Sequence, residues 1–191
     1  MNTLYLNRSH VIEYSSVLID PFKRDWKYVF ETNCYAYALG LDIPVNFLGK
    51  YDDSIHYDPG FFGGNIISSS FTEEELNSSI LSDMDALGLC CCDAPYDVKL
   101  EEGEWKIAIY GAVTSKPGYY KDFHFIKNTG HFFWMHKQGF GEAPTNFDSD
   151  GHVILDPTKC NISEIINGSP FKYEYIKTYK IRKGFNDKFR G

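Results

Sequence analysis

Cys34 stands in the run Glu31-Thr32-Asn33-Cys34-Tyr35-Ala36-Tyr37-Ala38-Leu39-Gly40, whose residue types describe a short helix. Thr32 or Asn33 is the expected N-cap, Asn33 to Leu39 the helix, and Gly40 with Pro44 closes it. The start of a helix leaves unpaired N–H groups and a partial positive charge, and both favour a thiolate over a thiol. The same N–H groups can hold an oxyanion, and Asn33 offers an amide donor beside the place where one would form. A cysteine in this position is a candidate nucleophile toward an amide-linked acyl group; its alternative fate is that of a small buried hydrophobe. Of the five cysteines it is expected to be the most reactive.

A thiol nucleophile needs a base, and the base needs a group that fixes its tautomer. Asp122 to Lys137 carries three histidines and reads as a β-hairpin: Phe123 to Lys127 and His131 to Lys137, joined across Asn128-Thr129-Gly130. Gly130 suits the left-handed position of a three-residue loop. In that register Lys127 opposes His131, Ile126 opposes Phe132 and His124 opposes Trp134, so His136 lies diagonally from His124 on one face while His131 faces away. The face carrying His124, Trp134 and His136 is therefore the candidate catalytic face, able to supply a base and its orienter. Asp156 and Asp148, further along, are the alternative orienting carboxylates.

The elements that must position these residues divide the chain into two halves. Asp25 to Phe30 reads as a short helix, and Asp42 to Ser70 is dense in glycine and proline and reads as a long loop. Thr72 and Glu75 form a capping box, after which Leu76, Ile80, Leu81, Met84 and Leu87 recur at helical spacing up to Gly88. Trp105 to Val113, the hairpin, Val153 to Leu155 and Tyr173 to Ile181 read as strands. With no internal repeat, residues 1–191 are expected to form a single α+β domain, helices in front and an antiparallel sheet behind.

The stretch Asn33-Cys34-Tyr35-Ala36-Tyr37-Ala38 resembles the nucleophile motif of the NlpC-type and CHAP-type (cysteine, histidine-dependent amidohydrolase/peptidase) branches of the papain-like superfamily. Those motifs place an amide or acid residue, then cysteine, then a short helix of small and aromatic residues. The resemblance implies a papain-like fold, N-terminal helices packed on a C-terminal antiparallel sheet, with His124 as base near a strand start and His136 at the end of the next strand. It implies a thiol peptidase or amidase acting on a peptide, peptidoglycan-like or protein substrate. The same dyad would serve a glutamine deamidase or a transglutaminase-like effector. A third reading is a non-catalytic interaction module docking through Tyr57, Phe61 and Phe62.

Composition narrows the classes. A net charge of -7 and a pI near 5.3 argue against a binder that neutralises nucleic-acid phosphates. No apolar run is long enough for a membrane span, and Met1 to His10 lacks the pattern of a signal peptide. An odd number of cysteines, three of them adjacent at Cys90, Cys91 and Cys92, fits a reducing compartment, so the expected location is cytoplasmic, with a non-classical route of delivery left open. No cofactor and no metal are expected: the cysteine triplet lacks a second pair, and no His-Glu-x-x-His set is present. Asp148-Ser149-Asp150-Gly151 reads as a turn.

Overall fold

The computed structural model describes residues 18–22, 32–42, 57–138, 142–166 and 169–184. The expected helix at Asp25 to Phe30, Pro44 and much of the Asp42 to Ser70 loop lie outside them. In chain order the elements are β1 (Leu18–Ile19), α1 (Cys34–Leu39), β2 (Leu41–Asp42), α2 (Glu73–Ala86), β3 (Leu89–Asp93), β4 (Glu104–Val113), β5 (Tyr120–Asn128), β6 (Met135–His136), β7 (Ile162–Ile166) and β8 (Ser169–Lys183). Strands β3 to β8 form one antiparallel sheet in the order β3-β8-β4-β5-β6, with β7 added to β8. The protein is thus a small α+β fold, its helices ahead of its main sheet in the chain.

Both helices begin and end where their cap residues dictate. Asn33 is the N-cap of α1, its Oδ1 accepting from the Ala36 N–H at 2.9 Å. Gly40 ends that helix in the left-handed conformation, φ 71°, with its N–H turned back to the Ala36 and Tyr37 carbonyls. A Cβ at Gly40 would also meet the Pro21 backbone nitrogen at 2.3 Å, so no other residue fits this turn. The Thr72–Glu75 capping box opens α2 as expected. Leu76, Ile80 and Met84 turn inward from it, whereas Leu81 is exposed.

The sheet separates two apolar clusters. Cys34, Tyr35, Ala36, Ala38 and Leu39 of α1 pack with α2 and with Trp105, Ile107, Ile109 and Phe125. On the far side Ala108, Tyr110, Ala112 and Ile126 pack with Trp134, Ile154, Ile162 and Tyr173. This is the period of two expected of strands buried on both faces. Polar ties fix α1 to its surroundings: Trp105 Nε1 donates to the Ala38 carbonyl at 3.2 Å, and Tyr35 OH donates to Asp83 Oδ2 at 2.8 Å. Asp83, fully buried, also accepts from the Gly60 and Gly63 amides, each at 2.7 Å.

The structure corrects the expected hairpin. Ile126 pairs with His136 and Lys127 with Met135, so the second strand is two residues long and residues 129–134 form the connection. The register is displaced by four from the expected pairing. Asn128 supplies the reason: its side-chain amide donates to the His131 carbonyl at 2.7 Å and the Phe133 carbonyl at 2.8 Å, and its Oδ1 accepts from Gly130 N. One side chain thereby takes over bonds that a tight hairpin would make through backbone. Val153 to Leu155 is not a strand, Val153 making only an isolated bridge to Phe147, while β3 and β7 are strands that the sequence reading left unassigned.

Candidate active site

His124 lies on β5 directly across from Tyr110 of β4, on the side of the sheet away from α1. A shift of four is even, so the corrected register leaves His136 on the same face. The two rings meet: His124 Nε2 and His136 Nδ1 are 2.9 Å apart, and His136 Nε2 is 2.9 Å from the Phe147 carbonyl. A carbonyl only accepts, so His136 Nε2 carries a proton and, with His136 neutral, its Nδ1 accepts from the Nε2–H of His124. The lone pair of neutral His124 therefore sits on Nδ1. That nitrogen makes no hydrogen bond among the described residues and faces Glu164 Oε1 at 3.4 Å.

Both rings are 1% exposed, and burial sets their charge. Desolvation, with the neighbouring His136 adding to it, holds His124 well below the usual histidine range. Burial also lowers His136, against the opposing pull of the Phe147 carbonyl and Asp148. The pair is neutral at neutral pH. Around it, Tyr173 packs its ring 5.7 Å from that of His124 and donates its hydroxyl to Asp122 Oδ2 at 2.7 Å. Burial, and then Asp122, raise the Glu164 carboxyl above its ordinary value.

Cys34 is the first residue of α1 and is 7% exposed. Its sulfur meets the backbone amide of Phe125, the residue after His124. Thiol and imidazole thus converge on consecutive residues of β5, but from different sides: Cys34 belongs to the α1 cluster, and His124 to the opposite face. No hydrogen bond joins them among the described residues. The thiol is also not activated at rest. Burial pushes it well above the ordinary cysteine value, the Phe125 amide lowers it, and the carboxylates of Glu164, Asp122 and Asp58 raise it further. In a one-and-a-half-turn helix the favourable end charge is outweighed by desolvation.

Four further expectations are corrected. The Asn33 amide is committed to the fold, Nδ2 donating to the Tyr57 carbonyl at 3.1 Å and Asp58 Oδ1 at 3.4 Å, so it is a cap and not an oxyanion donor. Neither alternative carboxylate orients His124. Asp156 binds Thr158 and, at 2.9 Å, Lys159, and Asp148 accepts the backbone amides of Asp150, His152 and Asn161. Cys90 and Cys92 are exposed where Cys34 is buried, so accessibility favours them in any contest of labelling rates. The aromatic docking loop is lost as well, since Tyr57 and Phe62 are buried in the α1 cluster and Phe61 packs against it.

Sequence reasoning missed Glu164, Asp122 and Tyr173. Glu164 and Tyr173 sit on β7 and β8, and nothing local in their sequence marks them; only the pairing of Ile162 with Tyr173 and of β8 with β4 brings them to His124. As for metals, Asp148, Asp150 and His152 bring one ligand atom each within 4.8 Å of one another, but the backbone amides already occupy the Asp148 oxygens. The triplet Cys90 to Cys92 lines a shallow groove of about 380 Å³ with Glu101, Glu104, Lys180 and Arg182. No helix among the described residues is long and apolar enough to cross a membrane. No protein family, curated protein or solved structure matches this chain.

Proposed function

We propose that this chain is a cysteine-dependent hydrolase of papain-like build, a peptidase or amidase that cleaves an amide bond through a thioacyl intermediate on Cys34 with His124 as base. One observation carries the reading: the chain from the Phe147 carbonyl through His136 to His124 leaves Nδ1 of His124 as an open lone pair, one residue from the amide that meets the Cys34 sulfur. A base held in one tautomer by a second ring, itself held by a carbonyl, is what acyl transfer from a thiol requires.

In this mechanism substrate binding beside Phe125 brings His124 Nδ1 within reach of the thiol, and it takes the Cys34 proton as the sulfur attacks the substrate carbonyl. The S–H bond breaks, an S–C bond forms, and the imidazolium that results is stabilised by the Glu164 carboxyl beside Nδ1 and by His136 at Nε2. The proton then passes to the departing amine, and water, deprotonated by the same nitrogen, releases the acid from the thioester. Both partners are neutral at rest, so proton transfer accompanies attack instead of preceding it. With Asn33 committed as a cap, oxyanion binding falls to backbone N–H groups at the start of α1.

The test is a panel of peptide, muropeptide-like and glutamine-containing protein substrates, read for new amines, released ammonia and incorporated amine. New amine from a peptide or muropeptide amide, lost in Cys34→Ala, is the expected result. Ammonia release would move the same dyad to deamidation, and amine incorporation to acyl transfer. Turnover that persists in Cys34→Ala sinks the proposal.

A further inference from the structure

Lys137 is the residue after His136, and its side chain is 0% exposed. An ammonium in the interior is costly unless something nearby offsets it. Successive side chains alternate across a sheet, so Lys137 turns opposite to His136, onto the face of α1. One step beyond the Ile126–His136 pair, the same register brings it beside Phe125, whose amide meets the Cys34 sulfur.

We propose that Lys137 is the charge partner of Cys34: its ammonium, buried on the α1 face of the sheet, stabilises the thiolate that forms when His124 removes the proton. This rests on the hydrolase reading and adds a residue to it. The two halves of the dyad are then served from opposite faces of β5. His136 and Glu164 support the imidazolium on one side, and Lys137 supports the sulfur on the other. Consecutive residues, His136 at the end of β6 and Lys137 just after it, supply one group to each face because successive side chains alternate.

The charged surroundings agree. Burial brings Lys137 down to about 8, while Cys34 and then Glu142 favour its charged form. The carboxylates of Glu164, Asp122 and Asp58, which face the thiol, all oppose thiolate formation, so a cation on the other side is what the nucleophile needs. Lys137 remains an ammonium at neutral pH and loses its charge as pH rises through about 8.

The experiment measures the rate at which iodoacetamide modifies Cys34 in the full-length protein between about pH 6 and 10, by mass-spectrometric mapping that separates its peptide from that of Cys90 to Cys92. In the unsubstituted protein the logarithm of the rate should climb with pH and then bend over above about 8, as Lys137 discharges. Lys137→Met should slow Cys34 modification near neutral pH by about tenfold or more, with no change at Cys90 and Cys92, and Lys137→Arg should restore most of it. An unbent profile in the unsubstituted protein overturns the proposal whether or not the methionine variant folds, as does a folded Lys137→Met protein that reacts like the parent. His124→Ala separates the two claims. If it leaves turnover of a cleaved substrate intact while Lys137→Met slows the thiol, the base assignment falls and Lys137 stands; the reverse pattern removes Lys137 and keeps the dyad.

Discussion

The two faces of β5 are buried alike and do different work. On the α1 face Phe125 packs into a nineteen-residue apolar cluster that contains Cys34, and the polar groups there close off the backbone: Asp83 holds Tyr35 and two loop amides, while Lys127 donates to the Pro21 and Tyr37 carbonyls, each at 3.0 Å. On the opposite face His124 meets His136, Glu164 and the Tyr173–Asp122 pair, and among the described residues one nitrogen of His124 is left without a hydrogen bond. A structural polar group in a core has its bonds completed, whereas a working base keeps one lone pair open. Burial alone does not separate the two roles; hydrogen-bond completeness does.

That contrast breaks if the histidine face proves merely structural. We expect His124→Ala to lower turnover by about 10⁴-fold and His136→Ala by about 10²-fold, because the second ring fixes a tautomer without touching the substrate. Each variant also leaves a buried partner unpaired, at a cost of about 1–3 kcal/mol, so each must be assayed well below its melting temperature. Equal losses of activity in folded proteins would mean that the rings act as one unit. The fold-closing polar groups of the α1 face should answer in stability instead. Asp83→Ala orphans a hydroxyl and two amides and should cost about 3–5 kcal/mol in denaturant unfolding, without altering the kinetics of the fraction that remains folded.

The legibility of these two faces differed, for physical reasons. Local chemistry exposed α1 and α2: an N-cap, a capping box and a left-handed glycine act within a few residues of themselves. The shared face of His124 and His136 could also be read, because parity alone decides it and a register error of four preserves parity. What was hidden depended on distance in the chain. Asn128 replaced a tight turn by side-chain bonds, Glu164 and Tyr173 arrive from β7 and β8, and the Cys34 thiol is governed by how deeply α1 is buried and not by its own helix end. A sequence motif marks where a nucleophile can be; the rest of the fold sets whether it is ionised.

Acidity distinguishes the faces more gently. Burial lowers Lys127 from its ordinary value to about 7, so between that pH and the ordinary lysine range the unfolded chain binds more protons than the folded one, and stability rises with pH there. Lys137, brought to about 8, adds the same sign from its own pH upward. His124 and His136 are lowered too, so on acidification through the ordinary histidine value the unfolded chain is protonated first and stability falls. Melting temperature should therefore climb from about pH 7 to 8.5, while below that the lowered histidines and the raised Glu164 and Asp83 carboxyls pull in opposite directions. Lys127→Met should flatten the climb above neutrality and leave the acid limb, and a parent curve that declines over the range would contradict both assignments.

The smallest effect discriminates most finely, because Asn33 stands at the junction of the two roles. As a cap, its Oδ1 serves Ala36 N and its amide serves Tyr57 and Asp58; as an oxyanion donor, its amide would have to face the substrate. Asn33→Ala should cost about 1 kcal/mol from the lost cap and somewhat more from the Tyr57 carbonyl left without its donor. Asn33→Asp keeps an acceptor for Ala36 but sets a second carboxylate beside Asp58, so it should also lower the melting temperature and make that loss shrink as pH falls into the carboxylate range. In both variants kcat of the folded protein should stay within about threefold of the parent, since no bond to the reacting atoms is removed. If Asn33→Asp instead melted like the parent and lost about 10²-fold in kcat, the amide would be an oxyanion donor of the kind whose removal costs that much, and Asn33 would join Cys34 among the catalytic groups of the α1 face.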